Sequence, residues 1–304
     1  MKPTLAGCSH SKAITGTAAS WGSALILAAI LLGIAAVAAR ADCNPADRID
    51  ARCYPDLQGA TAAALAANEP LWLPAGTYTL SRELVIDYSP LAATGFQIIS
   101  DGAIIDATTT GRRAMSIECS GGTPYNPKAC FYFHIQGTLF VNANTSAAAV
   151  RFGLNDLSDA HNSAKIDHLI VNNAGGGLGM RLNYVLNADL SLYAVTAGNY
   201  GLYLDQVQFS RINGAASATA GSALVIANGY TFANTFQGLD LEVAQVGLTI
   251  TSPHATRNTF VSPYFNCPTP IVATAGNSNM LLNPSYGAAP SPAPGSQTGI
   301  LTLP

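Results

Sequence analysis

A tetrapeptide returns along this chain every 22 to 24 residues. It reads Gly-Met-Arg-Leu at 179–182, Gly-Leu-Tyr-Leu at 201–204, Ala-Leu-Val-Ile at 223–226, Gly-Leu-Thr-Ile at 247–250 and Pro-Ile-Val-Ala at 270–273. Its first large apolar residue steps through Met180, Leu202, Leu224, Leu248 and Ile271. A fixed period of this size signals a solenoid, in which each unit buries its apolar face only by stacking on its neighbours. Within each tetrapeptide apolar residues flank a variable one, which is the alternation of a strand.

Two more apolar series accompany the first. One runs Leu190, Phe209, Phe236, Phe260 and Leu281, with Asn234-Thr235-Phe236 recurring as Asn258-Thr259-Phe260. The other runs Val171, Leu192, Ile212, Leu241 and Phe265. Three short strands per period, joined by Asn- and Gly-rich turns, describe an all-β coil that rises one strand spacing per turn. Between 97 and 165 the period blurs. Gln97–Ser100 and Ala103–Ile105 read as strands of the first turns, and Cys119–Cys130 and Asn155–Ser163 as loops leaving the coil.

The first 41 residues have the pattern of an export signal: a start with Lys2 and Lys12, an apolar run from Gly22 to Ala39, and Ala39-Arg40-Ala41 as the cleavage site. The alternative is an uncleaved anchor, since the run is just long enough to span a bilayer. Cleavage leaves a coil domain at 42–286 and a Pro-rich tail at 287–304, in a secreted or periplasmic protein with no integral membrane domain. Of 14 Lys and Arg against 17 Asp and Glu, only Lys2, Lys12 and Arg40 fall before position 42, so the mature part is distinctly acidic. Nucleic acid, which needs clustered basic surface, is excluded as an expected partner. In an oxidising compartment Cys43–Cys53 and Cys119–Cys130 are the expected disulfides, with Cys267 left over as a small apolar residue.

The three-strand coil and the segment Leu71-Trp72-Leu73-Pro74-Ala75-Gly76-Thr77-Tyr78 resemble the right-handed parallel β-helix proteins of the pectate-lyase-like superfamily. That resemblance implies a short Ala-rich helix before the segment. Asp56 is its N-cap and Leu57 to Asn68 its body, plugging the end of about seven coils. It also implies carbohydrate chemistry of an unspecified kind: the superfamily holds lyases, hydrolases, epimerases, tailspikes and non-catalytic proteins.

Stacking the tetrapeptides puts Arg151, Arg181, Tyr203, Val225, Thr249 and Val272 in one outward column, with coils about 4.8 Å apart. Two adjacent arginines need an anion between them, and Asp156 and Asp205 are the nearest candidates. The column suits a uronate-containing polysaccharide, with arginine on the carboxylate and Tyr203 under the sugar ring. Beta-elimination would use Arg181 as base, with Asp156, Asp159 and Asp205 as carboxylates for a calcium ion whose requirement stays open. Hydrolysis would use Asp240 and Glu242, which flank inward Leu241 and so project together, about 7 Å apart. The paired aspartates and Gly-His-Gly of polygalacturonases are absent, and Arg211-Ile212-Asn213 only half matches their Arg-Ile-Lys.

Among the histidines, His161 beside Asp159 has the most site-like neighbourhood, as a substrate contact. His134, His168 and His254 read as ordinary surface or turn residues. Asn172, Asn213 and Asn266 read as structural, and Gly175-Gly176-Gly177-x-Gly179 as a permissive turn. The apolar end of the outward column, Val225 to Val272, is expected to be covered by a partner, a second copy or the tail. The leading expectation is an exported protein that binds and cleaves a polysaccharide. The rival is a non-catalytic, tailspike-like glycan-recognition module.

Overall fold

Inward residues one period apart stack directly on each other. In the computed structural model, which describes residues 47–287 and 300–303, Met180 pairs with Leu202, Leu202 with Leu224, Leu224 with Leu248 and Leu248 with Ile271, all in parallel register. The column continues back through Val150, Met115 and Leu84. The chain is a right-handed parallel β-helix with three faces, and eight rungs make up the first face among the described residues. The repeat spacing alone points to about seven coils because insertions in the early turns stretch the repeat there.

Two of the three apolar series need correction. On the second face the column is Ile166, Leu190, Ile212, Phe236, Phe260 and Leu281. Ile212 stands where Phe209 was expected. Phe209 instead occupies a left-handed corner at φ 53°. Its ring is 56 % exposed and meets Phe232 edge-on. On the third face Val171 stacks on Ala194, Ala216, Leu241 and Phe265, while Leu192 lies two residues earlier, on Leu169.

The corner before the second face is built the same way in successive coils. A left-handed residue (Ser163, Asn187, Phe209, Ala233, Arg257, Ser278) makes the bend. The residue after it turns into the core: Ala164, Ala188, Ser210, Asn234, Asn258, Asn279, all buried. The last three form an asparagine ladder. Asn234 Nδ2 donates to Asn258 Oδ1 at 2.9 Å, and Asn258 Nδ2 to Asn279 Oδ1 at 2.9 Å. Phe236 and Phe260 stack beside it, centroids 4.5 Å apart and 7° from parallel. At another turn Gly177 and Gly198 are required by close approach: a Cβ on either would sit 2.0 Å from a stacked carbonyl oxygen. The Asn residues marked as structural in the sequence, Asn172, Asn213 and Asn266, lie outside this ladder on outward-facing positions.

Both expected loops are partly strand. Lys128–Phe131 and Asp159–Asn162 pair in parallel, placing Cys130, His161 and Val185 in one inward column. Cys119 and Cys130 form a disulfide. Cys53 is also disulfide-bonded, while Cys43 lies outside the described residues, as does the expected export signal at 1–41. Cys267 is free and half-buried. The tail is not wholly loose: Ile300–Leu303 adds a parallel strand onto Asn279–Leu282.

Helix α1, Leu57–Ala67, closes the N-terminal end as the resemblance implies. Asp56 Oδ1 accepts from Gly59 N–H at 2.7 Å, and left-handed Asn68 ends the helix. Leu57, Ala60, Thr61 and Ala64 face the core. Gln58 imitates a strand: its amide both donates to Val85 O and accepts from Val85 N–H at 3.0 Å, satisfying an open ladder edge. Asp56→Ala is expected to cost about 1 kcal/mol, roughly 2–4 °C in Tm, measured by thermal unfolding. Among the described residues no helix is long and apolar enough to cross a membrane.

Candidate functional site

The outward column of the first face is in the expected register: Arg151 pairs with Arg181, Arg181 with Tyr203 and Tyr203 with Val225. The anions that hold the arginines are only partly those expected. Arg181 Nη2 lies 3.4 Å from Asp205 Oδ2, its Nε donates to Asn183 Oδ1 at 2.7 Å, and its guanidinium lies 5.0 Å from the Tyr203 ring centroid. Arg151 pairs with Glu118, and Arg113 with Glu83 at 3.0 Å. Ser116 links the two pairs, donating to Glu83 and lying 3.4 Å from Arg151 Nη2. The face therefore carries a strip of ion pairs, not free cations. Tyr203 closes it, accepting from Asn228 Nδ2 at 2.9 Å.

Glu118 was hidden by the irregular period. It follows Met115 by three residues, as Asn183 follows Met180 and Asp205 follows Leu202. Extending the repeat upstream would have exposed it.

Three sequence candidates leave the groove. Asp159 and His161 are fully buried, because Asp159–Asn162 runs inside the coil and puts His161 in register with Val185. Asp159 accepts from Leu154 N–H at 2.6 Å, Cys119 N–H at 3.1 Å and His161 Nε2 at 3.1 Å, while Tyr88 O–H lies 2.8 Å from His161 Nδ1. This is a structural network. His161 does not reach substrate there, and Asp159 cannot reach an ion outside. Asp156 is exposed and spent on Ser158, whose Oγ donates to it at 2.7 Å. Asp156, Asp159 and Asp205 are not brought together, and no group of metal-ligating side chains forms among the described residues. Val225 is covered within the chain, at 4 % exposure.

The third face is different. Its outward column reads Ile170, Tyr193, Ala215, Asp240 and Tyr264, rung upon rung. A second outward column carries Asn172, Val195 and Ser217, then Glu242 in register with Asn266. The small side chains of Ala215 and Ser217 leave a hollow of about 250 Å³ that Tyr193 and Glu242 border. Asp240 stands one rung beyond Ala215, and Tyr264 one rung further. His168 stacks on the Tyr193 ring at 6.3 Å.

Asp240 and Glu242 flank Leu241, which is fully buried, so both acids face out from one strand. Neither carboxylate has a basic partner among the described residues. Asp240 Oδ1 is buried without a hydrogen bond. Burial first, and Glu242 second, push Asp240 above the usual carboxylate range. The residues on either side bend the strand: Gly238 at φ 58° and Val243 at φ 48°. A β-branched residue in that region is strained, and such strain collects at working sites. Two i, i+2 carboxyls, one of them held above its usual range, can act as acid and base across one bond.

No family model matches the chain, and no curated protein does either. Among solved structures, the Dettilon tailspike protein gp208 is similar at 10% identity and TM-score 0.26, over 84% of this chain and 68% of that one. The catalytic domain of a GH87 α-1,3-glucanase in complex with nigerose is similar at 10% identity and TM-score 0.21, over 86% and 68%. At these scores neither likeness carries a functional argument for this chain.

Proposed function

We propose that this is an exported β-helix protein that binds a polysaccharide across its third face and hydrolyses it between Asp240 and Glu242. Asp240, raised by burial, is the general acid, and Glu242 is the base that activates water. The observation that carries this reading is the raised Asp240 beside Glu242, which borders a hollow together with Tyr193, with Tyr264 one rung beyond Asp240. Residues two apart on a strand lie about 7 Å apart, within the inverting range. Tyr193 and Tyr264 supply rings for sugar stacking. Membership of the pectate-lyase-like superfamily and a secreted location belong to the same proposal.

Beta-elimination, which the sequence favoured, is less well supported. It needs an arginine free to take a proton and neutralise a uronate, and Arg151 and Arg181 are each held by a carboxylate. That strip favours the second reading, in which Arg181, Asp205 and Tyr203 recognise glycan hydroxyls without reacting.

The deciding experiment incubates the protein with acidic and neutral polysaccharides, with calcium and with chelator, following reducing ends and ultraviolet absorbance together. Reducing ends alone, unaffected by chelator, are expected. Absorbance rising with them would overturn hydrolysis in favour of a lyase centred on Arg181. Binding with neither signal would leave the recognition module.

A further inference from the structure

The corner between the first and second faces carries a second group of ligand-like features that the acid pair does not use. Tyr230, 54% exposed, stacks on the His254 ring with centroids 4.3 Å apart and planes 25° from parallel. Beside this platform lies a hollow of about 360 Å³, bordered by Tyr230, Phe232, Arg257, Asn277 and Ser278. No carboxylate lines it. The side chain of Arg257 is exposed and makes no ion pair or hydrogen bond among the described residues, unlike Arg113, Arg151 and Arg181.

The backbone fixes this arrangement. Arg257 occupies the left-handed corner position at φ 55°, the same position that turns the Phe209 ring outward two coils earlier. Its N–H donates to Asn277 O at 3.3 Å, which ties it to the next coil. Between Phe209 and Arg257 the corner residue is Ala233, too small to fill the space. Arginine is a costly residue in a left-handed bend, where Asn or Gly is the easier choice. Its presence there puts a fork of donors on a hollow that the aromatic side chains Tyr230 and Phe232 also line.

We propose that this corner binds one acidic sugar unit of a glycan. The sugar carboxylate takes the Arg257 guanidinium, its ring lies on Tyr230 backed by His254, and hydroxyls reach Asn277 and Ser278. The site is independent of hydrolysis at Asp240 and Glu242, which lie on the third face. In an acidic protein it gives preference for acidic over neutral chains at a point where no bond is broken.

Titration calorimetry of the full chain with tetragalacturonate, and with cellotetraose as the neutral probe, tests this. Arg257→Asn removes the cation while accepting the left-handed backbone, so the fold is kept. The expected result is a preference for tetragalacturonate, weakened about tenfold or more by Arg257→Asn and by Tyr230→Ala. Arg257→Lys restores part of it, and added salt weakens it. Asp240→Asn leaves it unchanged, so loss of hydrolysis and loss of this site are read separately. Equal binding of the two probes, no binding, or binding indifferent to Arg257→Asn overturns the proposal.

Discussion

Asp240→Asn is expected to lower the hydrolysis rate by about a hundred- to ten-thousand-fold, the usual contribution of a positioned acid or base. The substitution keeps the shape of the side chain and removes only its proton chemistry. Because burial and Glu242 raise Asp240, the alkaline limb of the wild-type pH profile should report Asp240. Activity falls at high pH as Asp240 loses its proton. Glu242→Gln should remove most of the rate. Stability should move the other way. A carboxyl raised in the folded state contributes stability below the unfolded value, which is lost as pH rises through the folded one. At neutral pH the ionised form of Asp240 is therefore a liability, and the Asp240→Asn variant should be equally or more stable in urea. A variant that is dead but no less stable is the pattern of a site under functional strain. Unchanged turnover in Asp240→Asn would remove the acid pair from the mechanism.

The fold was legible because stacking makes every coil answer to its neighbours. Met180, Leu202, Leu224, Leu248 and Ile271 could be aligned from spacing alone, and the outward column followed at once from strand alternation. The second and third columns were harder. Corners at Phe209 and Gly214 shift the alternation, and large apolar residues occur on both sides of the bend. The burial of His161 was invisible for a related reason: the insertions after Met115 and Val150 hide which column Asp159–Asn162 rejoins. The pairing of Asp240 with Glu242 was readable from period two. What sets Asp240 apart is its burial and the hollow beside Ala215, and both depend on neighbours that lie on other coils.

Asn258→Ala should produce the largest loss of stability of any single polar substitution considered. Asn258 is fully buried. Its Oδ1 accepts from Asn234 Nδ2 at 2.9 Å and Asn234 N–H at 3.2 Å. Its Nδ2 donates to Asn279 Oδ1 and Thr231 O, each at 2.9 Å. Truncation leaves Asn234 N–H without its acceptor and takes one of two bonds from Asn234 Nδ2, Asn279 Oδ1 and Thr231 O, which keep Val207 O, Asn258 N–H and Thr256 N–H. The site lies beside Phe236 and Phe260, where an unmet polar group costs about 1–3 kcal/mol. Together with the lost bonds and the small cavity, the net expectation is about 2–4 kcal/mol, above the centre of the range for point mutants. Asn258→Asp is the sharper comparison. It keeps the acceptor but replaces the donor with a buried charge facing Asn279 Oδ1 and Thr231 O, so it should be at least as damaging at neutral pH and should recover as acid protonates it. Urea unfolding of both variants at two pH values reads this directly. Losses below about 1 kcal/mol would mean that the ladder follows the stacked coils without holding them. A solenoid shares stability mainly between adjacent coils, so the damage should centre on the coils carrying Asn234 and Asn279. Hydrogen exchange should show those coils opening first, with helix α1 at the far end still protected.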